Sequence, residues 1–209
     1  MKQEDVIRYY RTILSDYSRR SFERGLVGGT GGNLSLRIPG TDMVLITPSG
    51  ISLEEVRPEL NVLVDLQGNV IESAVGHKSS KETGFHLAAY RLREDVQAVA
   101  HLHPPYSTAF STRGNPLPLV TVPSRIILKD VPCIPCFDPG SGELAHEVIA
   151  TLSKDLTLKA ILMQDHGILA LGPDVSTAYY LADLVEHTAR VAFLSRQINN
   201  QESLYEETK

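Results

Sequence analysis

The feature of this sequence that most limits its fold is the shortness of the connections between consecutive strand patterns. The stretches NLSLRI and MVLIT are separated by the turn PGTD, and NVLVDL and VIES by QGN. KAILMQ and GILALG likewise flank a DHG turn. Strands joined by so few residues must run antiparallel, because a parallel connection needs a crossover of a dozen or more residues.

Helical patterns are interleaved with these strand pairs. Residues 3–24 carry apolar side chains at helical spacing, and Gly25 follows as a stop. Further helices are predicted for residues 80–93, for YSTAFST, for residues 142–153 and for a long final segment capped by Asp174. The remaining strand patterns are QAVAHLH, LPLVTV and VPCIPCF. This order predicts an α/β fold, one domain over residues 1–209, with a mostly antiparallel or mixed sheet between helical layers.

Composition excludes several classes of partner. Hydrophobic residues make up 42% of the chain and charged residues 22%, as in an ordinary water-soluble protein. The net charge is −5 and the acidic residues are scattered, so no nucleic-acid or membrane partner is predicted. The start MKQEDVIRYY is charged rather than apolar, and no apolar run is as long as a membrane span. We therefore expect a cytoplasmic protein.

The two cysteines, Cys133 and Cys136, lie in one CIPC stretch. Such a pair could be a redox dithiol or half of a zinc site. A structural zinc site would need two more ligands at short spacing, which the sequence does not offer. We favour a third interpretation, in which both cysteines are small apolar residues of a buried strand in a reducing compartment.

Four residues are candidates for a metal site. His101 and His103 flank one leucine, so on a strand both imidazoles leave the same face. They are either core residues or two ligands of a metal such as zinc. His166 lies at the end of an apolar strand pattern beside a glycine, and Glu82 lies in the first turn of a predicted helix. A carboxylate at that position could equally serve only to stabilise the helix start.

Three polar segments, two of which contain glycine, could bind an anion. The first, VGGTGGNLS, lacks the Lys-Ser/Thr pair of a nucleotide-binding loop and precedes a strand pattern instead of a helix. Its backbone amides could still surround an anion. The second is TPSG, and the third is HKSSKE, where helix-start amides and Lys81 suit a phosphate. Each segment taken alone could also be an ordinary connector.

Taken in order, these motifs resemble the class II aldolase/adducin family, typified by zinc-dependent L-fuculose-1-phosphate aldolase. The resemblance runs nearly end to end, through GTGGNLS, TPSG, SKETGFHLAAY, AVAHLHPPYSTAFS, PCIPCFDPG and QDHGILALG. It implies an α/β/α sandwich on a mostly antiparallel sheet, in homotetramers with active sites at subunit interfaces. It also implies one Zn²⁺ per subunit, or another divalent ion such as Mn²⁺. The implied metal ligands are Glu82, His101, His103 and His166. The implied phosphate site consists of Gly32, Asn33, Thr47, Gly50 and Ser80.

The resemblance leaves several activities open, because the family includes aldolases, an epimerase, a dehydratase, decarboxylases and non-catalytic adducin-type modules. The presence of all four implied metal ligands favours an enzyme acting on a small phosphorylated sugar or sugar acid. Fuculose-phosphate aldolases usually have Ser-Ser-Glu where this chain has Ser80-Lys81-Glu82, and PLVTVPSRIILKD lacks the tyrosine that they carry there. These departures favour the branch of 3-oxo-tetronate 4-phosphate decarboxylases, with a fuculose-phosphate-type aldolase as the alternative.

Both reactions would pass through the enediolate of dihydroxyacetone phosphate. By the same resemblance, Glu82 would be a catalytic residue that delivers a proton to the carbanion. Lys81 would pair with the carboxylate or the phosphate of the substrate.

Overall fold

The structure is a computed structural model that describes residues 2–206, with side chains described as far as residue 198. Within that range eight strands form one sheet, in the order β4-β3-β2-β1-β5-β8-β7-β6. These strands are β1 (Asn33–Arg37), β2 (Met43–Ile46), β3 (Val62–Asp65), β4 (Val70–Glu72), β5 (Ala98–Leu102), β6 (Cys133–Ile134), β7 (Ala160–Met163) and β8 (Gly167–Gly172). β6 and β7 run parallel, whereas every other neighbouring pair in this sheet is antiparallel.

The three hairpins that the short turns predict are all present. β1 pairs with β2, β3 with β4, and β7 with β8. The central strand β5 lies between β1 and β8, which come from two different hairpins. The mostly antiparallel sheet predicted from the sequence is therefore confirmed.

Helices cover both faces of the sheet. The described part of the chain contains α1 (Gln3–Glu23), α2 (Thr83–Leu92), α3 (Pro105–Ser111), α4 (Val122–Ile127), α5 (Gly142–Lys154) and α6 (Val175–Glu206). α1 and α6 pack on one face, whereas α2 and α5 pack against each other on the opposite face. This arrangement confirms the α/β class with helical layers around the sheet. Among these helices, none combines the length and the apolar character required to cross a membrane.

Strand alternation divides the buried side chains of the sheet between two cores. Leu34 and Leu102 belong to the core under α1 and α6, whereas Val99 belongs to the core under α2 and α5. His101 is two residues from Val99 on β5, so it shares the face that α2 covers. The leucine between the two histidines is thus a core residue of the opposite face.

Two strand predictions need correction. LPLVTV forms no strand, because Thr121 caps α4 and forms a capping box with Ser124. VPCIPCF contributes only Cys133–Ile134 to the sheet, since its prolines lack the N–H group that a strand ladder needs. Cys136 is exposed and Cys133 partly buried, so the prediction of two buried cysteines is wrong.

The helix that follows β5 is held in place from a distant part of the chain. Glu186 on α6 accepts hydrogen bonds from the backbone amides of Tyr106 (3.0 Å) and Ser107 (2.8 Å), and from the Ser107 hydroxyl. A carboxylate at a helix start satisfies amides that have no partner within the helix. This contact ties the start of α3, and with it the end of β5, to α6.

Replacing Glu186 with alanine should therefore destabilise the fold. We expect Glu186→Ala to lower the free energy of unfolding by about 1–3 kcal/mol, because it leaves two partly buried amides without an acceptor. Urea denaturation followed by circular dichroism measures this change. Glu186→Gln keeps one acceptor oxygen and should recover part of the loss, and an unchanged midpoint for the alanine variant would contradict the capping role.

Candidate metal centre

Three separate parts of the chain bring the four predicted ligands together. His101 is on β5 and His103 directly follows that strand, while His166 lies in the turn between β7 and β8. β8 pairs with β5, so the turn before β8 lies beside the end of β5. The rings of His101 and His166 are 4.7 Å apart between centroids, and those of His103 and His166 are 5.0 Å apart. Glu82, immediately before α2, lies against this group.

His103 fits beside His101 because two glycines leave room for its ring. The strand pattern predicted both histidines on one strand, whereas β5 ends at Leu102 and His103 is the next residue. Its ring is nevertheless 4.7 Å from that of His101. A β-carbon on Gly31 would lie 2.7 Å from His103 Nδ1, and one on Gly167 would lie 2.8 Å from His103 Cδ2. Any side chain at either glycine would therefore displace this imidazole.

The hydrogen bonds of His101 determine which of its nitrogens can bind a metal. His101 Nδ1 lies 2.9 Å from the carbonyl oxygen of Ile168. A carbonyl only accepts, so Nδ1 carries the hydrogen, and Nε2 of the neutral ring has a free lone pair. This Nε2 lies 2.9 Å from His103 Nε2 and 3.2 Å from Glu82 Oε2.

The carboxylate of Glu82 faces two of the histidines. Its Oε2 accepts a hydrogen bond of 2.8 Å from Asn33 Nδ2, while Oε1 lies 3.3 Å from His166 Nε2. Oε1 is buried and has no hydrogen-bond partner among the described residues. A buried, unpartnered carboxylate oxygen is costly unless a cation or a substrate satisfies it. Ring nitrogens of the three histidines lie within 4.8 Å of one another, so this cluster could hold a metal ion.

The electrostatics of the cluster favour the protonation states that bind a metal. Burial lowers the pKa of His103 to about 3 and also lowers the pKa of His166, so both rings are neutral near pH 7. Burial alone would raise the pKa of Glu82, but hydrogen bonding to its carboxylate, including the bond donated by Asn33, brings it well below its usual range. Neutral imidazoles with an ionised carboxylate form a donor set typical of zinc sites.

The three segments proposed for anion binding lie next to one another. Thr47 exchanges hydrogen bonds with the backbone of Leu34, at 3.0 Å through its amide and 3.2 Å through its hydroxyl. The amide of Ser49 donates to the carbonyl of Lys78 over 2.9 Å. The Ser80 hydroxyl accepts from the amide of Glu82 over 3.2 Å, so this corner adjoins the metal cluster. Gly32 and Gly50 adopt positive φ values of 69° and 77°. Phosphate binding by these residues stays a prediction.

Two motifs that are distant in sequence meet at Lys81. The Lys81 side chain is exposed, and the turn containing Gly140 packs against its backbone. A β-carbon on Gly140 would lie 2.8 Å from the carbonyl oxygen of Lys81, and its φ of 77° also favours glycine. The motifs SKE and CFDPG thus form one corner beside Glu82.

Helical spacing places Glu82 and His86 on one face, but sequence reasoning missed Ser35 and Tyr90, two buried polar residues behind Glu82. Asn33 was predicted to bind phosphate. In the structure its amide oxygen accepts a hydrogen bond from His86, and one of its amide hydrogens is donated to Glu82. Its second amide hydrogen remains for a ligand. Ser35 and Tyr90 extend the same hydrogen-bonded chain. Helical spacing of four between Glu82, His86 and Tyr90 was the sequence signal that could have revealed it.

Comparison with known proteins agrees with this geometry. Residues 13–193 match the family described as Class II Aldolase and Adducin N-terminal domain. The chain belongs to this family. Its aldolase-type domain resembles "L-fuculose phosphate aldolase" of Methanococcus maripaludis, with 33% identity over 86% of this chain and 94% of the relative. It also resembles "3-oxo-tetronate 4-phosphate decarboxylase" of Haemophilus influenzae, with 34% identity over 88% of this chain and 86% of the relative.

Solved structures of the class II aldolase family share this fold. An L-fuculose 1-phosphate aldolase superposes with a TM-score of 0.84 at 31% identity, covering 95% of this chain and 89% of its own. YgbL of Escherichia coli, described as an aldolase, epimerase or decarboxylase, superposes with a TM-score of 0.81 at 30% identity and 90% coverage of both chains. The resemblance to the class II aldolase family stated from the motifs is therefore confirmed.

The glycine that accommodates His103 provides a test of the cluster. Gly31→Ala should weaken metal binding by about 10- to 100-fold, as expected when a ligand ring is displaced. The control is Gly28→Ala, because a β-carbon on Gly28 meets no atom within 4 Å. Metal affinity is measured by competition with a chelating dye. Equal affinities for the two variants would show that His103 is not a ligand.

The buried neutral histidines predict that the metal-free protein loses stability in acid. The pKa of His86, like those of His103 and His166, is lowered by burial, in this case to about 3. The unfolded chain therefore takes up protons first, so this stability is complete above about pH 6.5 and falls as the pH drops below it. For His86 and His103, whose pKa values fall to about 3, the loss reaches about 1.4 kcal/mol per pH unit each.

Urea unfolding between pH 7.5 and 5, in the presence of a chelator, measures the slope. His86→Gln should make the slope shallower, because the substituted side chain does not titrate. A free energy of unfolding that is constant across this range would contradict the lowered pKa values.

Proposed function

We propose that this protein is a metal-dependent carbon–carbon lyase that acts on a small phosphorylated sugar or sugar acid. The observation that carries the proposal is the convergence of three imidazoles and one carboxylate beside the polar loops. The names of its relatives, which include aldolases and a decarboxylase for phosphorylated substrates, support it.

The residues of the cluster fit a divalent metal. His101, His103 and His166 would hold the ion together with Glu82, and Zn²⁺ suits these ligands best, with Mn²⁺ as an alternative. When bound, the metal supplies a Lewis acid that stabilises the negative charge developing on the substrate oxygens as the carbon–carbon bond breaks. The histidines contribute fixed lone pairs, because His101 is oriented by the carbonyl of Ile168.

Glu82 is the residue to which we assign proton transfer. Its Oε1 is free of hydrogen bonds from described residues and faces the histidines, so the ionised carboxylate could take up a proton from solvent and pass it to the carbanion of a substrate held there. Asn33 holds the other oxygen, so one oxygen is anchored while the other reacts. The amides and hydroxyls around Gly32, Thr47, Gly50 and Ser80 would orient the phosphate.

Among the possible reactions, we favour decarboxylation of 3-oxo-tetronate 4-phosphate to dihydroxyacetone phosphate and CO₂. Lys81 is exposed beside Glu82 and could pair with the substrate carboxylate. Residues 118–130 contain no tyrosine to protonate or deprotonate an aldehyde-side hydroxyl, and a departing carboxylate needs no such group. The alternative, a fuculose-phosphate-type aldolase, is supported by the aldolase relatives and by the TM-score of 0.84.

A third candidate is a non-catalytic adducin-like interaction module. Metal content distinguishes it, because such a module has no need for a stoichiometric metal ion. Assembly into homotetramers with interfacial active sites, and a location in the cytoplasm, stay predictions.

Two substrates offered separately to the zinc-loaded protein test the proposed reaction. We expect 3-oxo-tetronate 4-phosphate to release CO₂ and dihydroxyacetone phosphate, and L-fuculose 1-phosphate to be cleaved slowly or not at all. CO₂ is trapped as carbonate, and lactaldehyde is detected with an aldehyde reagent. Release of lactaldehyde from L-fuculose 1-phosphate, with no CO₂ from 3-oxo-tetronate 4-phosphate, would contradict the decarboxylase and support the aldolase.

Two substitutions connect the activity to the site. Glu82→Gln should keep much of the metal but lower kcat by about 100-fold or more, as for a removed general acid or base. Lys81→Ser creates the aldolase-like triplet and should weaken decarboxylation while leaving the metal content unchanged. An active Glu82→Gln variant would exclude the proton-transfer role.

A further inference from the structure

A chain of buried hydrogen bonds leads from Tyr90 to the carboxylate of Glu82. The Tyr90 hydroxyl lies 2.6 Å from Ser35 Oγ, which lies 2.7 Å from His86 Nδ1. His86 Nε2 lies 2.6 Å from Asn33 Oδ1, and Asn33 Nδ2 donates to Glu82 Oε2 over 2.8 Å. Each of these five residues is at most 7% exposed, so bulk water has little access to the chain.

The pattern of donors and acceptors gives this chain a single direction. The amide oxygen of Asn33 can only accept, so His86 Nε2 must carry the hydrogen. In a neutral ring Nδ1 then accepts, which requires the Ser35 hydroxyl to donate to it. Ser35 has one hydroxyl hydrogen, so the Tyr90 hydroxyl must donate to Ser35. Every donor therefore points toward Glu82.

His86 is placed to be neutral and immobile. Its ring is fully buried, stacks on Phe85 at 4.9 Å between centroids, and has both nitrogens in hydrogen bonds to uncharged partners. A charged imidazole would place a second hydrogen against the Ser35 hydroxyl and reverse the chain. The neutral form satisfies every link.

The orientation of the Asn33 amide depends on this ring. If the amide turned over, its oxygen would face the Glu82 carboxylate and its nitrogen would face a donor on His86, which are two unfavourable contacts. With His86 in place, the amide nitrogen is directed at Oε2. Oε1 is then the oxygen left toward His166.

We propose that His86, supported by Ser35 and Tyr90, is a positioning residue that fixes the Asn33 amide and thereby the orientation of the Glu82 carboxylate. This inference rests on the proposed function in assigning Glu82 to the metal and to proton transfer. A chain that served only to satisfy buried groups would affect stability alone, whereas a positioning chain also affects metal affinity and kcat.

Variants along the chain separate these two roles. His86→Leu removes the donor to Asn33, and we expect it to lower kcat and metal affinity by about 10- to 100-fold, with KM changed much less. His86→Gln keeps an N–H at the Nε2 position and should recover most of both losses. Tyr90→Phe removes only the first link and should have a smaller effect in the same direction.

The matched control is Leu87→Val, because Leu87 is equally buried on α2 but lies outside the chain. It should lower Tm while leaving kcat and metal affinity within about twofold of the parent protein. If Leu87→Val loses as much metal affinity and kcat as His86→Leu at a similar loss of Tm, the effects follow stability alone, and the proposal is overturned.

Nitrogen-15 NMR of the histidine rings tests the direction of the chain without any substrate. The His86 signals, identified by their loss in His86→Gln, should show the Nε2–H tautomer, with Nδ1 unprotonated and shifted in Tyr90→Phe. An Nδ1–H tautomer or a doubly protonated ring would overturn the proposal. A different outcome would refute only the proposed reaction. In it, the wild-type protein shows this tautomer but turns over neither substrate, and the His86→Leu variant binds metal more weakly than the wild type.

Discussion

The antiparallel pairing of β5 with β1 on one side and β8 on the other is the constraint on which the site depends. The register places His101 opposite Asn33 on β1 and opposite Leu169 on β8. This pairing brings the residue that anchors Glu82 to one side of His101, and the turn that carries His166 to its other side. A shift of one residue in either pairing would turn the side chains to the opposite face of the sheet, where α1 and α6 pack.

The cluster concentrates groups that are costly to bury. Neutral imidazoles lie close together around a carboxylate that is largely out of water, and one of its oxygens has no protein partner in the described range. Such an arrangement weakens a metal-free protein, and a bound cation would relieve it. Local rules of stability are commonly broken at functional sites. The surrounding glycines and the directed chain through His86 hold these buried polar groups in place.

Local patterns predicted much of the fold, but they failed where they depended on distant contacts. The hairpins followed from turn length alone, and α1 and α5 followed from helical spacing, close to their observed bounds. LPLVTV has the composition of a strand, yet it pairs with no strand of the described sheet, and Thr121 begins a helix instead. VPCIPCF pairs over only two residues because its prolines interrupt the ladder. Propensity describes what a segment can form, whereas available partners decide what it does form.

The sequence by itself determined the candidate ligands, because residue type and spacing specify which side chains offer lone pairs and which face of a strand they leave. Only the tertiary structure decided the arrangement around these ligands. It places His103 just after the end of β5, between two glycines, and it places the TPSG loop beside Ser80. It also decided that Asn33 links Glu82 to His86. These contacts join residues far apart in the chain, and their distances follow from strand register and helix packing, which no local pattern encodes.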